Sequence, residues 1–185
     1  EMCIRDSFGR ADKDRITLSG KINCPKLWDG VNSPALYRAE ITLFCNGKPV
    51  DSIEQEFGIR SYRIDANNGF FLNGKPYPLH GVNYHQDSYE SGWAMTDAQR
   101  ERDYRIIRDM GCTAVRMAHY QHCDHEYSLC DRLGLCVWTE IGIINKMSAD
   151  ESDAHVLSDG FGDNAKQQLR ELIRQNSVSY THLRA

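Results

Sequence analysis

The ten residues Gly111-Cys112-Thr113-Ala114-Val115-Arg116-Met117-Ala118-His119-Tyr120 decide how this chain is read. Their first half, Cys112 to Val115, is short, apolar and partly β-branched, the pattern of a buried strand. Their second half turns polar at Arg116 and His119. A buried strand that ends in charged and titratable groups places chemistry at its C-terminal edge, and in parallel α/β folds that edge is where sites lie. The same construction stands on both sides. Pro78-Leu79-His80-Gly81-Val82 leads into Asn83, Tyr84 and His85, and Leu135-Cys136-Val137-Trp138 leads into Thr139 and Glu140. Helical segments separate the three, which predicts a parallel sheet with right-handed crossovers. His85, His119 and Glu140 are then expected to meet on one rim.

The intervening helices are signalled by their ends. Thr96-Asp97-Ala98-Gln99 is a capping-box pattern. The helix after it carries Tyr104, Ile107 and Met110 on one stripe and stops at Gly111. Asp124 is placed to cap a second helix, with Tyr127, Leu129, Cys130 and Leu133 inward and Gly134 at its end. Residues 145–162 read as a long rim loop. A third helix, Asn164 to Gln175, puts Ala165, Leu169, Leu172 and Ile173 on one face, and a fourth strand is due after it.

Upstream the pattern is β. Arg15 to Ile22 alternates polar and apolar residues, and Leu36 to Cys45 does so again. Asn46-Gly47 is a hairpin turn signal before a return strand from Val50 to Phe57, and Gly58 to Ile64 reads as a further strand. These strands are too few for a whole sandwich and read as its C-terminal portion. Asn67-Asn68-Gly69 breaks the pattern. A hairpin turning at Asn73-Gly74 is expected to cap the end of the next domain. Residues 1–7 and 177–185 do not fit what adjoins them and are read as non-native ends. The expected division is 1–7, 8–65, 66–176 and 177–185.

Composition narrows the partners. The 185 residues carry 22 basic and 26 acidic side chains, for a net charge of −4. No basic stripe points to nucleic acid, and no basic amphipathic or long apolar segment points to a membrane. The seven cysteines contain no C-x-x-C pair, so they suggest neither a disulfide framework nor a zinc ribbon. Cys112, Cys130 and Cys136 fall on positions read as buried.

An ordered set of motifs then carries a resemblance. It comprises Phe57-Gly58-Ile59-Arg60, Phe71-Leu72-Asn73-Gly74-Lys75-Pro76, Gly81-Val82-Asn83-Tyr84-His85, Ala114-Val115-Arg116, His119-Tyr120, Leu129-Cys130-Asp131, Gly134-Leu135 and Glu140. With Pro25-Lys26-Leu27-Trp28 and Leu36-Tyr37 before them, these resemble glycoside hydrolase family two, which holds the β-galactosidases and β-glucuronidases. Trp138-Thr139-Glu140-Ile141 and the run Gln167 to Asn176 look most like the β-galactosidase branch. The resemblance implies the C-terminal strands of an immunoglobulin-like β-sandwich, then the first three βα units of a TIM barrel. The implied activity is that of a retaining exo-β-glycosidase, with two glutamates as acid/base and nucleophile.

By the same resemblance both glutamates belong to later strands, beyond the residues present, so this stretch alone is expected to be inactive. Asn83, His85 and His119 are the implied substrate-binding residues, with Arg116 and Glu140 supporting the site. Tyr84 departs from the arginine usual there. The places that hold magnesium in some members fall at Ile144 and Lys146, where a lysine repels a divalent cation. No metal or other cofactor is expected, and the partner is a carbohydrate substrate. Assembly of a longer parent into a homo-oligomer, and a cytoplasmic or periplasmic location in a bacterium, are left open.

Two other readings compete. One is a zinc hydrolase using the cluster from His119 to His125, with His122 and Cys123; its residue types suit zinc, but its spacing is not a helical pair. The other is a non-catalytic carbohydrate-binding module with Tyr89, Trp93 and Trp138 as stacking platforms. On the glycosidase reading, His122 has no counterpart in the site and is expected to matter little.

Overall fold

The computed structural model describes residues 9, 18, 20–143 and 160–176, and the backbone of 182–184. Two antiparallel strands, β1 (Tyr37–Cys45) and β2 (Lys48–Phe57), form a hairpin. It turns at Asn46 and Gly47, both at positive φ, as such a two-residue turn requires. One face pairs Tyr37 with Phe57 and Ile41 with Ile53, and Leu43 shares that face. Ile41, Leu43 and Ile53 nevertheless remain about half exposed. The strand expected at Arg15 lies largely outside the described residues.

The strand expected from Gly58 begins later, as β3 (Tyr62–Asp65). Before it the chain passes Trp28, whose N–H donates to the Ile59 carbonyl at 2.9 Å. The hairpin β4 (Gly69–Leu72) and β5 (Lys75–Pro76) completes a three-stranded sheet. It sends Leu72 and Tyr77 into a small core with Trp28 and Cys136.

The second half is a parallel sheet in the order β6 (Gly81–Tyr84), β7 (Ala114–Met117), β8 (Cys136–Thr139), β9 (His182–Arg184). Between them run α1 (Asp97–Asp109), α2 (Asp124–Leu133) and α3 (Phe161–Gln175). A fourth strand is due after α3, and the backbone of 182–184 pairs with β8 in that place. The Thr96 capping box forms in full: the Gln99 N–H donates to Thr96 Oγ1, and the Thr96 N–H donates to Gln99 Oε1 at 2.8 Å. At α2 the cap is Cys123 rather than Asp124, with no side-chain hydrogen bond. Met110, expected inward, is 65% exposed, because it lies past the last full turn of α1.

Strand alternation sorts the sheet's two faces. Val115, Met117 and Val137 point to the helices and pack with Tyr104, Ile107, Tyr127, Leu129 and Cys130 in the main core. Cys112, Cys130 and Cys136 are buried as expected. The opposite face carries Ala114 and Cys136 at one end, under the β4–β5 hairpin, and Asn83, Arg116 and Trp138 as one rung at the other. The hairpin thus caps the end of the sheet away from the rim.

Where the two halves meet, Gly134 ends α2 in the left-handed region, at φ 78°. A Cβ there would strike the Gly30 carbonyl, so the position needs glycine on both counts. Among the described residues no helix is long and apolar enough to cross a membrane.

Candidate active site

The rung Asn83–Arg116–Trp138 places an arginine in the middle of the open face. Its guanidinium grips Glu140 with two bonds, Nε to Oε1 at 2.8 Å and Nη2 to Oε2 at 3.0 Å. This is the fork geometry that makes arginine–carboxylate pairs strong. Arg116 Nη1 donates to Asn83 Oδ1 at 3.2 Å, and the Trp138 indole N–H donates to Glu140 Oε1 at 3.1 Å. Burial pushes the Glu140 carboxyl up. The hydrogen bond and charge of Arg116, with the indole N–H, outweigh it, so the group sits below the ordinary carboxylate range.

His119 follows β7 across a cis peptide from Ala118. Its Nδ1 is 3.1 Å from Arg116 Nη2 and 3.4 Å from Glu140 Oε2. Arginine can only donate, so the contact with Arg116 Nη2 is a hydrogen bond in the tautomer that carries the ring proton on Nε2. That N–H is available to a ligand, since the side chain is 48% exposed. The His85 ring stands edge-on to His119, with centroids 5.2 Å apart.

The structure therefore brings Asn83, His85, Arg116, His119 and Glu140 together on one rim. Tyr84 turns the other way. Its hydroxyl donates to Asp103 at 3.3 Å and its ring packs against Tyr104, so it belongs to the helix side. Ile144 and Lys146 lie outside the described residues.

His122 corrects one expectation. It is fully buried, with Nδ1 2.6 Å from Glu126 and Nε2 3.2 Å from the Ala118 carbonyl. With both nitrogens engaged it is not placed to join His119 around zinc. Tyr89 and Trp93 are strongly exposed and Trp138 about half so. Trp93 leans on Tyr120, with ring centroids 5.0 Å apart, and the Trp138 indole is tied to Glu140. Sequence reasoning missed the indole bond of Trp138. The cue was its period-two match with Glu140 along the strand.

Residues 64–178 match the family described as glycosyl hydrolases family 2, TIM barrel domain, and residues 5–60 match glycosyl hydrolases family 2. The chain belongs to this family. It carries an immunoglobulin-like region followed by a TIM-barrel region. A β-glucuronidase of Bacteroides fragilis is 43% identical over 162 residues, which are 87% of this chain and 23% of that protein. A β-galactosidase of Bacteroides ovatus is 34% identical over 143 residues, 76% of this chain and 17% of that protein. Among solved structures, Bacteroides uniformis β-glucuronidase 2, covalently bound to cyclophellitol-6-carboxylate aziridine, matches with a TM-score of 0.76 at 35% identity, over 90% of this chain and 19% of that one. The chain thus spans under a quarter of the length of these relatives.

Proposed function

We propose that this stretch is the first three βα units of the barrel of a retaining exo-β-glycosidase, with the C-terminal strands of its sandwich before them. The observation that carries the reading is the rim cluster: an ionised Glu140 clamped by Arg116, with His119 Nε2–H and His85 facing outward. Such donors suit the hydroxyls of a terminal sugar. His119 donates to one hydroxyl, Asn83 and His85 line the same pocket, and the Arg116–Glu140 pair holds the rung in place. The family reaction uses two glutamates about 5–5.5 Å apart, one as proton donor and one as nucleophile. Glu140 is neither, being consumed by Arg116; both reacting carboxylates belong to later barrel strands.

The sugar drawn from the sequence motifs is a terminal β-galactoside. A terminal β-glucuronide is the second reading, favoured by the 43% identical β-glucuronidase and by a relative that holds a carboxylate-bearing cyclitol covalently. A uronate would need a cation of its own, since Arg116 is already engaged. The test is a panel of aryl β-glycosides given to the longer protein that contains this segment and to the 185-residue chain. The longer protein should cleave the galactoside or the glucuronide and the chain alone should cleave neither. Turnover by the chain alone would overturn the assignment of both reacting carboxylates to later strands.

A further inference from the structure

Below the rim lies a set of charged and polar side chains that the proposed chemistry does not use. His122, just before α2, and Glu126, in its first turn, are four residues apart, and neither side chain touches solvent. Glu126 Oε1 accepts from Arg100 Nε at 3.2 Å, and Oε2 accepts from the Tyr104 hydroxyl at 3.3 Å. Arg100 continues to the Met95 carbonyl at 2.6 Å and to Asp97 at 3.4 Å. Burying such groups is costly before pairing repays it, and well-packed apolar side chains often hold helices together as well. Helix packing alone is therefore a poor account of them.

Their outlet is the segment that carries His119. His122 Nε2 lies 3.2 Å from the Ala118 carbonyl, and the Ala118 N–H donates to the Tyr84 carbonyl at 3.0 Å. On the other side of His119, the Tyr120 ring stacks on the His122 ring, with centroids 5.2 Å apart and planes at 29°. His122 thus holds the residue before His119 and the residue after it. Glu126 holds His122, and Arg100, from the other helix, holds Glu126.

We propose that His122 is a positioning residue: anchored by Glu126 and Arg100, it fixes the Ala118 carbonyl and the Tyr120 ring, and so sets where His119 Nε2 points. The kinetic consequence rests on the glycosidase reading, whereas the geometric one does not. The two ring nitrogens can be tested apart. A glutamine amide nitrogen reaches the place of Nε2, and an asparagine amide nitrogen that of Nδ1. In the longer protein, His122→Asn keeps a polar nitrogen facing Glu126 and loses the one facing the Ala118 carbonyl; His122→Gln does the reverse.

His122→Asn should lower kcat about 10- to 100-fold with KM within about twofold, the size expected for a misplaced group near the chemistry. His122→Gln should stay within about threefold of the parent. Equal kcat in the two variants, whatever their melting temperatures, would overturn the proposal. Crystal structures of both give a readout free of activity. His119 should shift in the asparagine variant and stay in the glutamine variant, and an unmoved ring in both also overturns it. If the parent cleaves no glycoside, the glycosidase reading falls and the crystal structures still decide the positioning. Should either variant fail to fold, the near-isosteric Glu126→Gln tests the same chain one step back. It should lower kcat about three- to tenfold at constant KM, and an unchanged kcat would count against the proposal.

Discussion

At Arg116 a single guanidinium serves Glu140, Asn83 and His119 together. Losing His119 should therefore cost a donor while leaving its supports in place. In the longer protein, His119→Ala should lower kcat/KM by roughly 10²–10³-fold, mainly through kcat, as loss of one transition-state donor does. His80→Ala, exposed at the far end of the same sheet, is the control and should change little. Glu140 gives a pH prediction. Its carboxyl is depressed in the folded state, so the clamp contributes fully above the ordinary carboxylate range and is lost as pH falls through the lower, folded value. Melting temperature should fall more steeply in the parent than in Glu140→Gln below about pH 4; parallel curves would count against it. Asn83, His85, Arg116, His119 and Glu140 were all legible in the sequence, because each is a polar tip on an apolar run. His122 was not. Its i, i+4 spacing to Glu126 is visible, but that the pair faces inward depends on Arg100, twenty-odd residues earlier and on another helix.

Among the elements, α1 is the one whose start is most firmly specified. Thr96→Ala removes the hydroxyl that accepts from the Gln99 N–H, and should cost about 1 kcal/mol by denaturant titration. Gln99 contacts Thr96 alone in that box, so adding Gln99→Ala should cost less than the sum of the two changes. The turns were legible for a similar reason: Asn46-Gly47, Asn73-Gly74, Gly111 and Gly134 each need a backbone conformation few residues supply. Strand limits were less so. The central strand runs from Ala114 rather than Cys112 because Thr113 is tied elsewhere, its N–H and hydroxyl reaching the His80 and Pro78 carbonyls. Such contacts cross from one connection to another and leave no local signature.

For the molecule as a whole, the β1–β2 face is the exposed liability. Ile41, Leu43 and Ile53 lie side by side and about half exposed, the kind of apolar patch that promotes association. The isolated chain should self-associate with rising concentration in sedimentation, and Ile41→Lys with Ile53→Lys should reduce this; identical sedimentation would show that another surface is responsible. The parallel order of the second half was legible from the alternation of strands and helices, whereas the covering of each face was not, because burial depends on what packs from a distance.

Trp28 has a consequence for how the two halves can be separated. By position it falls in the leading β region, yet it is wholly buried among Leu72, Tyr77 and Cys136, and its indole N–H donates to the Asp131 carbonyl at 2.9 Å. The two regions are therefore not modules in the sense of parts that can be exchanged. A barrel grafted onto a foreign sandwich, or expressed from residue 66 onward, would carry an indole-sized hole and an unanswered carbonyl at the end of α2. Any recombination of such enzymes has to keep the loop around Trp28 with the barrel it completes.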